Sequence, residues 1–89
     1  MNVEMKNFGD MLMSRTSGRE DFLKARAYLF CDLAPDDIIV LDFKDVNALA
    51  PGWADEFLTR IKENFNNKIE YINADSRAVS DTLNFLEIF

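Results

Sequence analysis

The four aliphatic residues I-I-V-L at positions 38–41 are the feature that most restricts the fold of this chain. No polar residue alternates with them, whereas a strand with one solvated face normally alternates apolar and polar side chains. An uninterrupted apolar run of this length predicts a strand over residues 37–43 that is buried on both faces, as a central parallel strand is. Parallel neighbours require long crossover connections, usually helices, so the α/β class follows.

The flanking segments have the apolar spacing of helices and short strands. Ser17 and Glu20 have the spacing of a capping box, which predicts the start of a helix, and Pro51 suits the first turn of another. The predicted elements are helices at 18–30, at 51–65 and from Asp75 or Ser76 to Leu86, a strand at 68–73, and an N-terminal hairpin or bent edge strand at 2–13.

The order of these elements predicts an α/β fold with a mixed, largely parallel sheet of about four strands and three helices packed on it. Eighty-nine residues allow one domain, so residues 1–89 are predicted to form a single unit. The apolar C-terminal residues leave two alternatives open: Phe85, Ile88 and Phe89 either close the core or form an exposed patch that pairs with a second chain as a homodimer.

The chain has no histidine and one cysteine, Cys31. An imidazole base, a Ser-His or Cys-His nucleophile and an internal disulfide are therefore excluded. The three glycines are isolated and form no phosphate-binding loop. We expect no enzymatic activity and no cofactor, and we expect Cys31 to be a small buried hydrophobe.

The formal net charge of -6 is unevenly distributed along the sequence. Residues 1–34 are balanced, whereas residues 35–89 hold five basic and eleven acidic side chains. An acidic chain argues against binding to nucleic acid or to anionic membranes, and it suits a basic protein surface. With no signal-peptide pattern and no apolar run long enough for a membrane span, we expect a soluble cytoplasmic protein.

Two short blocks resemble a known family. Residues 41–46 read L-D-F-K-D-V, residues 53–56 read W-A-D-E, and Ser14-Arg15 lies upstream before a predicted helix. This combination resembles the STAS-like family, a prokaryotic family of unknown function related to the STAS domains of sulfate transporters and anti-sigma factor antagonists. The resemblance implies a small STAS-like α/β domain that acts as a regulatory protein-interaction module.

The resemblance also implies a partner and a contact surface. Anti-sigma factor antagonists bind an ATPase of the histidine-kinase type, and phosphorylation of a Ser or Thr at the start of the helix after the central strand breaks that complex. The implied partner is therefore a histidine-kinase-type ATPase or an anti-sigma factor. The matching position here falls at Ala50-Pro51-Gly52, where no hydroxyl is present, so we expect partner binding without this phosphorylation switch. The partner-binding residues predicted on this basis are Pro51, Gly52, Trp53, Asp55 and Glu56.

The charged and aromatic residues of this segment have alternative interpretations. Asp55 and Glu56 complement the dipole of the predicted helix, and either could form a structural ion pair with Arg15, whose planar guanidinium matches a carboxylate. Trp53 is expected to be half-buried, either as part of the core or as an anchor in an interface.

A different class of function remains as the alternative. Asp42 and Asp45, together with Asp55 and Glu56, could form a carboxylate cluster for Mg²⁺ or a phospho-acceptor site in a receiver-like domain. The structural interpretation is that Asp42 ties the following loop by accepting backbone N–H groups.

Overall fold

The computed structural model of the protein describes residues 1–88, which contain five strands and three helices. The strands are β1 (Asn2–Glu4), β2 (Met11–Leu12), β3 (Ile39–Asp42), β4 (Ala48–Leu49) and β5 (Ile69–Ile72). The helices are α1 (Arg15–Tyr28), α2 and α3 (Arg77–Phe85), where α2 joins α-helical Pro51–Ala54, π-helical Asp55–Thr59 and α-helical Arg60–Asn64. None of these helices has the length and apolarity that crossing a bilayer requires.

Every strand pairing within residues 1–88 is parallel. β3 lies between β1 and β5 in a three-stranded sheet, and β2 pairs with β4 in a second, two-stranded sheet. The predicted α/β class with three helices is confirmed, but the sheet is parallel rather than mixed. The N-terminal segment forms no hairpin, because β1 and β2 pair with different strands; a 3-10 turn at Met5–Phe8 bends it instead.

β3 is buried on one face only. Ile39 and Leu41 are buried, whereas Val40 and Asp42 between and after them are half-buried. Val3 of β1 is level with Leu41 and is also buried, so these residues share the face that meets the core. The prediction of burial on both faces is therefore wrong. α2 contacts both α1 and α3, so the three helices form one layer.

α1 begins earlier than predicted because Ser14, not Ser17, is its N-cap. The Ser14 hydroxyl oxygen accepts a hydrogen bond from the backbone N–H of Ser17 at 3.0 Å. This satisfies one of the free N–H groups of the first turn. The two serine hydroxyls lie 2.9 Å apart, so Ser17 supports the cap from inside the helix, and the predicted capping box with Glu20 is wrong.

The core is aromatic around Trp53. Its indole stacks on Phe57 with ring centroids 4.7 Å apart and an interplanar angle of 13°. Phe8 packs against both rings, and Phe22 meets Phe57 edge-on at 6.3 Å. Trp53 is completely buried, so the expectation of a half-buried side chain is wrong.

The exposure of the side chains after α1 and at the end of α3 also differs from expectation. Cys31 is exposed rather than buried, because α1 ends at Tyr28 and it is the neighbouring Phe30 that enters the core. At the C-terminus, Phe85 is 72% exposed, while Ile88 is half-buried against the core. Phe89 lies outside the described residues.

Candidate functional site

α1 and α2 begin side by side because each follows one strand of the same parallel pair. The backbone N–H of Ala50, the last residue before α2, donates to the carbonyl oxygen of Leu12 at 2.8 Å. The chain after Leu12 enters α1 at Arg15, whose side chain lies directly against Gly52. Residues from both halves of the sequence therefore meet at one surface.

An ion cluster occupies this surface. Arg15 Nη1 donates to Asp55 Oδ2 at 2.9 Å and lies 3.6 Å from Glu56 Oε1. Glu56 also lies 3.7 Å from Arg19 Nη2 and accepts from Arg60 Nε at 2.8 Å. The two carboxylates considered as alternative partners of Arg15 thus both contact it. Glu56 is the centre of the cluster, with a side chain that is only 11% exposed.

The contacts within the cluster favour the charged forms of Glu56, Asp55 and Arg15. The hydrogen bond from Arg60, opposed by desolvation, lowers the pKa of Glu56, and the charges of Arg19 and Arg15 act in the same direction. The hydrogen bond between Arg15 and Asp55 lowers the pKa of Asp55 and raises the pKa of Arg15. Asp55, Glu56 and Arg60 leave residues 35–89 with one negative charge in the cluster, and Arg15 and Arg19 from the N-terminal part change the sum to one positive charge.

The cluster predicts a loss of stability in acid. Because the folded-state pKa of Glu56 is lowered, its contribution is present above the unfolded pKa of about 4.3 and disappears as the pH falls through the folded value. We expect the melting temperature of Glu56→Gln to fall less than that of the wild type between about pH 5 and pH 3. Glu63→Gln is the matched control, since Glu63 makes no ion pair among residues 1–88. Parallel curves for all three proteins would contradict the prediction.

The residues predicted to bind a partner differ in accessibility. Pro51 is exposed, and Gly52, Asp55 and Glu56 are half-buried around it. Trp53 is buried, and its indole N–H donates to Asp21 at 3.1 Å, so it faces the interior. Trp53 therefore supports the surface from below and does not offer a contact to a partner, which corrects the interpretation of this residue as an interface anchor.

Two exposed methionines beside this surface were missed. Met11 is 62% exposed and Met13 is 51% exposed, whereas Leu12 between them is buried. The alternation of a strand accounts for this pattern, because successive side chains point to opposite faces. The sequence M-L-M carried the signal, but nothing in it showed which face of so short a strand meets the core.

Asp42 and its neighbours form a structural tie rather than a metal site. Asp42 Oδ1 accepts from the side-chain amide of Asn73 at 2.8 Å and from the backbone N–H of Lys44 at 2.9 Å. These hydrogen bonds lower the pKa of Asp42, and the bond from Asn73 has the larger effect. Across residues 1–88, no three His, Cys, Asp or Glu side chains come together as a metal-binding group. The carboxylate cluster expected for Mg²⁺ is not assembled, because Asp55 and Glu56 belong to the arginine cluster.

Comparison with known proteins identifies a family. The family model described as "STAS-like domain of unknown function (DUF4325)" matches residues 27–77, which is more than half of the chain. The matched segment includes β3, β4, α2 and β5, whereas Arg15 and most of α1 precede it. Neither curated proteins nor solved structures gave a match. The match to the family model, together with the parallel α/β fold, shows that the chain belongs to the STAS-like domains of unknown function.

Proposed function

We propose that the protein is a non-enzymatic regulatory domain that binds a protein partner in the cytoplasm. The observation that carries this proposal is the ion cluster of Arg15, Asp55 and Glu56, which joins the starts of α1 and α2. A charged surface of this kind is better suited to recognition than to chemistry, because its ionisable groups are already paired. The absence of histidine from the whole sequence supports the same conclusion.

The proposed contact surface is the rim of the cluster around Pro51. Pro51 is exposed at the first position of α2, with Gly52 and Asp55 beside it. The family resemblance suggests a histidine-kinase-type ATPase or an anti-sigma factor as the partner, and we choose the ATPase for the test.

The proposed interaction lacks the usual phosphorylation switch. By the family resemblance, the position at which anti-sigma factor antagonists carry a Ser or Thr falls at or beside Ala50, Pro51 and Gly52, none of which has a hydroxyl. We infer that release of the partner does not depend on phosphorylation at this position.

A pair of charge variants on α2 tests the proposal. Pro51→Arg places a long charged side chain on the proposed surface, and we expect it to weaken binding to a purified histidine-kinase-type ATPase from the same genome at least tenfold. Glu63→Arg is the matched control near the other end of α2, where binding should stay within about twofold of the wild type. Calorimetric titration gives both values, and far-UV circular dichroism checks the fold. Failure of the wild type to bind, or equal binding by Pro51→Arg, would refute the proposal.

A further inference from the structure

β2 has a free edge. The carbonyl oxygen of Leu12 accepts from Ala50, so the hydrogen-bonding groups of Leu12 point towards β4. Because these groups alternate along a parallel strand, those of Met11 and Met13 point the opposite way. Within residues 1–88, the backbone N–H and C=O groups of Met11 and Met13 have no hydrogen-bond partner. Such an edge is a ready template for another strand.

A crevice of about 270 Å³ runs along this edge. Met11, Leu12 and Met13 all line it. Successive side chains of a strand point to opposite faces, so a crevice that three consecutive residues share lies beside the strand rather than over one face. The first turns of α1 form the opposite wall, which includes Glu20 and Asp21. The space is therefore bounded by a strand edge on one side and by a helix on the other.

The charges of the crevice are of one sign. Glu20 and Asp21 are its ionisable lining residues, and neither forms an ion pair with the residues that the structure describes. Asp21 is held in place by the indole N–H of Trp53, which contributes no charge. Two carboxylates without a cation beside a free strand edge favour an occupant with Lys or Arg side chains.

We propose that the free edge of β2 binds an extended, basic segment of a protein partner by strand addition. The segment pairs its backbone with the free N–H and C=O groups of Met11 and Met13. Its alternate side chains face the wall of α1, where Lys or Arg meets Glu20 and Asp21. The flexible thioether side chains of Met11 and Met13 adapt to the residues of the segment that lie between its Lys or Arg side chains. This deepens the proposed function, on which it rests for the existence of a protein partner, by naming the kind of segment recognised.

Synthetic peptides test the chemistry of the occupant. The probe is a fluorescein-labelled octapeptide of alternating Lys and Val, and its fluorescence anisotropy is measured with the full chain. We expect it to bind at least tenfold more tightly than the same peptide with Glu in place of Lys. Two further peptides carry N-methyl groups on alternate amides, one on the odd and one on the even positions, which removes backbone donors and keeps the side chains. We expect one of these two peptides to bind at least tenfold more weakly than the parent peptide. Equal binding by these peptides, or no binding by the Lys peptide, would overturn the proposal.

Variants of the protein test the edge itself. Met13→Pro removes the free N–H without removing a bond to β4, and we expect at least tenfold weaker peptide binding. Met13→Ala keeps that N–H and should bind within about threefold of the wild type, while Glu20→Lys should bind at least fivefold more weakly. Circular dichroism verifies that each variant is folded. Unchanged peptide binding by Met13→Pro would overturn the proposal. A concentration-dependent dimer of the wild type that Met13→Pro abolishes would also overturn it, because the edge would then bind a second copy of the chain.

The two proposals fail separately. If the wild type binds the ATPase but not the Lys peptide, the strand-addition proposal fails and the proposed function stands. If the wild type binds the peptide as described but binds no ATPase, the proposal of an ATPase partner fails and the strand-addition proposal stands.

Discussion

Replacing Gly18 by alanine is expected to destabilise the protein by about 2 kcal/mol, although the same change inside a helix usually stabilises it by up to about 1 kcal/mol. A Cβ at position 18 would lie 2.6 Å from the carbonyl oxygen of Trp53, 3.0 Å from its Cα and 3.1 Å from Cβ of Glu56. Two of these atoms belong to the backbone and cannot rotate away. Either α1 or α2 must shift, and overpacking of this kind typically costs about 1–3 kcal/mol.

Gly52→Ala is the matched control for this prediction. A Cβ at position 52 would lie 3.0 Å from Cγ of Arg15, which has to yield by only a few tenths of an ångström, and 3.7 Å from the nearest backbone atom. We expect a change within about 0.5 kcal/mol, since the gain in helix propensity offsets this small adjustment. Urea unfolding followed by Trp fluorescence compares the two variants, because Trp53 is the single tryptophan and lies at the contact. Equal stability of both variants would show that the approach of α1 to α2 is not limited by Gly18.

The close approach at Gly18 and the ion cluster depend on each other. Arg15 and Gly18 lie in the first turns of α1, and both contact α2. With a larger residue at position 18, Arg15 could not stay 2.9 Å from Asp55 while α2 kept its place. Both residues precede the segment that matches the family model, so that segment alone does not contain the complete surface.

Elements with a strong period could be predicted from the sequence. The spacing of four residues from Trp53 to Phe57 and Ile61, after Pro51, placed α2 within one residue of its observed ends. The π-helical stretch Asp55–Thr59 could not be predicted, because no local preference marks it. The aliphatic run correctly placed β3 at the centre of the sheet, but Val40 and Asp42, which point to its other face, are only half-buried.

Elements that depend on a distant partner could not be predicted. β4 consists of Ala48 and Leu49, which have no strand pattern, and it forms because β2 lies alongside. The exposure of Cys31 likewise depends on where α1 ends rather than on the residue itself. The pairing of Arg15 with Asp55 and Glu56 could be predicted from the sequence. These opposite charges lie at the starts of two helices, and an α/β fold of this class places those helix starts close together.

Replacing Trp53 by alanine is expected to have the largest effect of any single change considered. The completely buried indole stacks on Phe57 and contacts Phe8, so the variant loses these contacts and leaves a cavity. Large aromatic-to-alanine changes in a core cost about 3–5 kcal/mol. A domain of 89 residues has a free energy of unfolding of roughly 4–13 kcal/mol, so Trp53→Ala removes a large part of it.

Two milder variants separate the contributions of Trp53. Trp53→Phe keeps an aromatic ring against Phe57 and should cost roughly 1–2 kcal/mol, within the usual range for point mutants. Asp21→Ala removes only the acceptor of the 3.1 Å hydrogen bond from the indole and should cost about 1 kcal/mol. Since the Trp53 variants lack the fluorophore, urea unfolding is followed by far-UV circular dichroism. The expected order of destabilisation is Trp53→Ala, Trp53→Phe, Asp21→Ala. A Trp53→Ala protein as stable as Trp53→Phe would mean that the side chain is not packed in the core, and its role as an interface anchor would return.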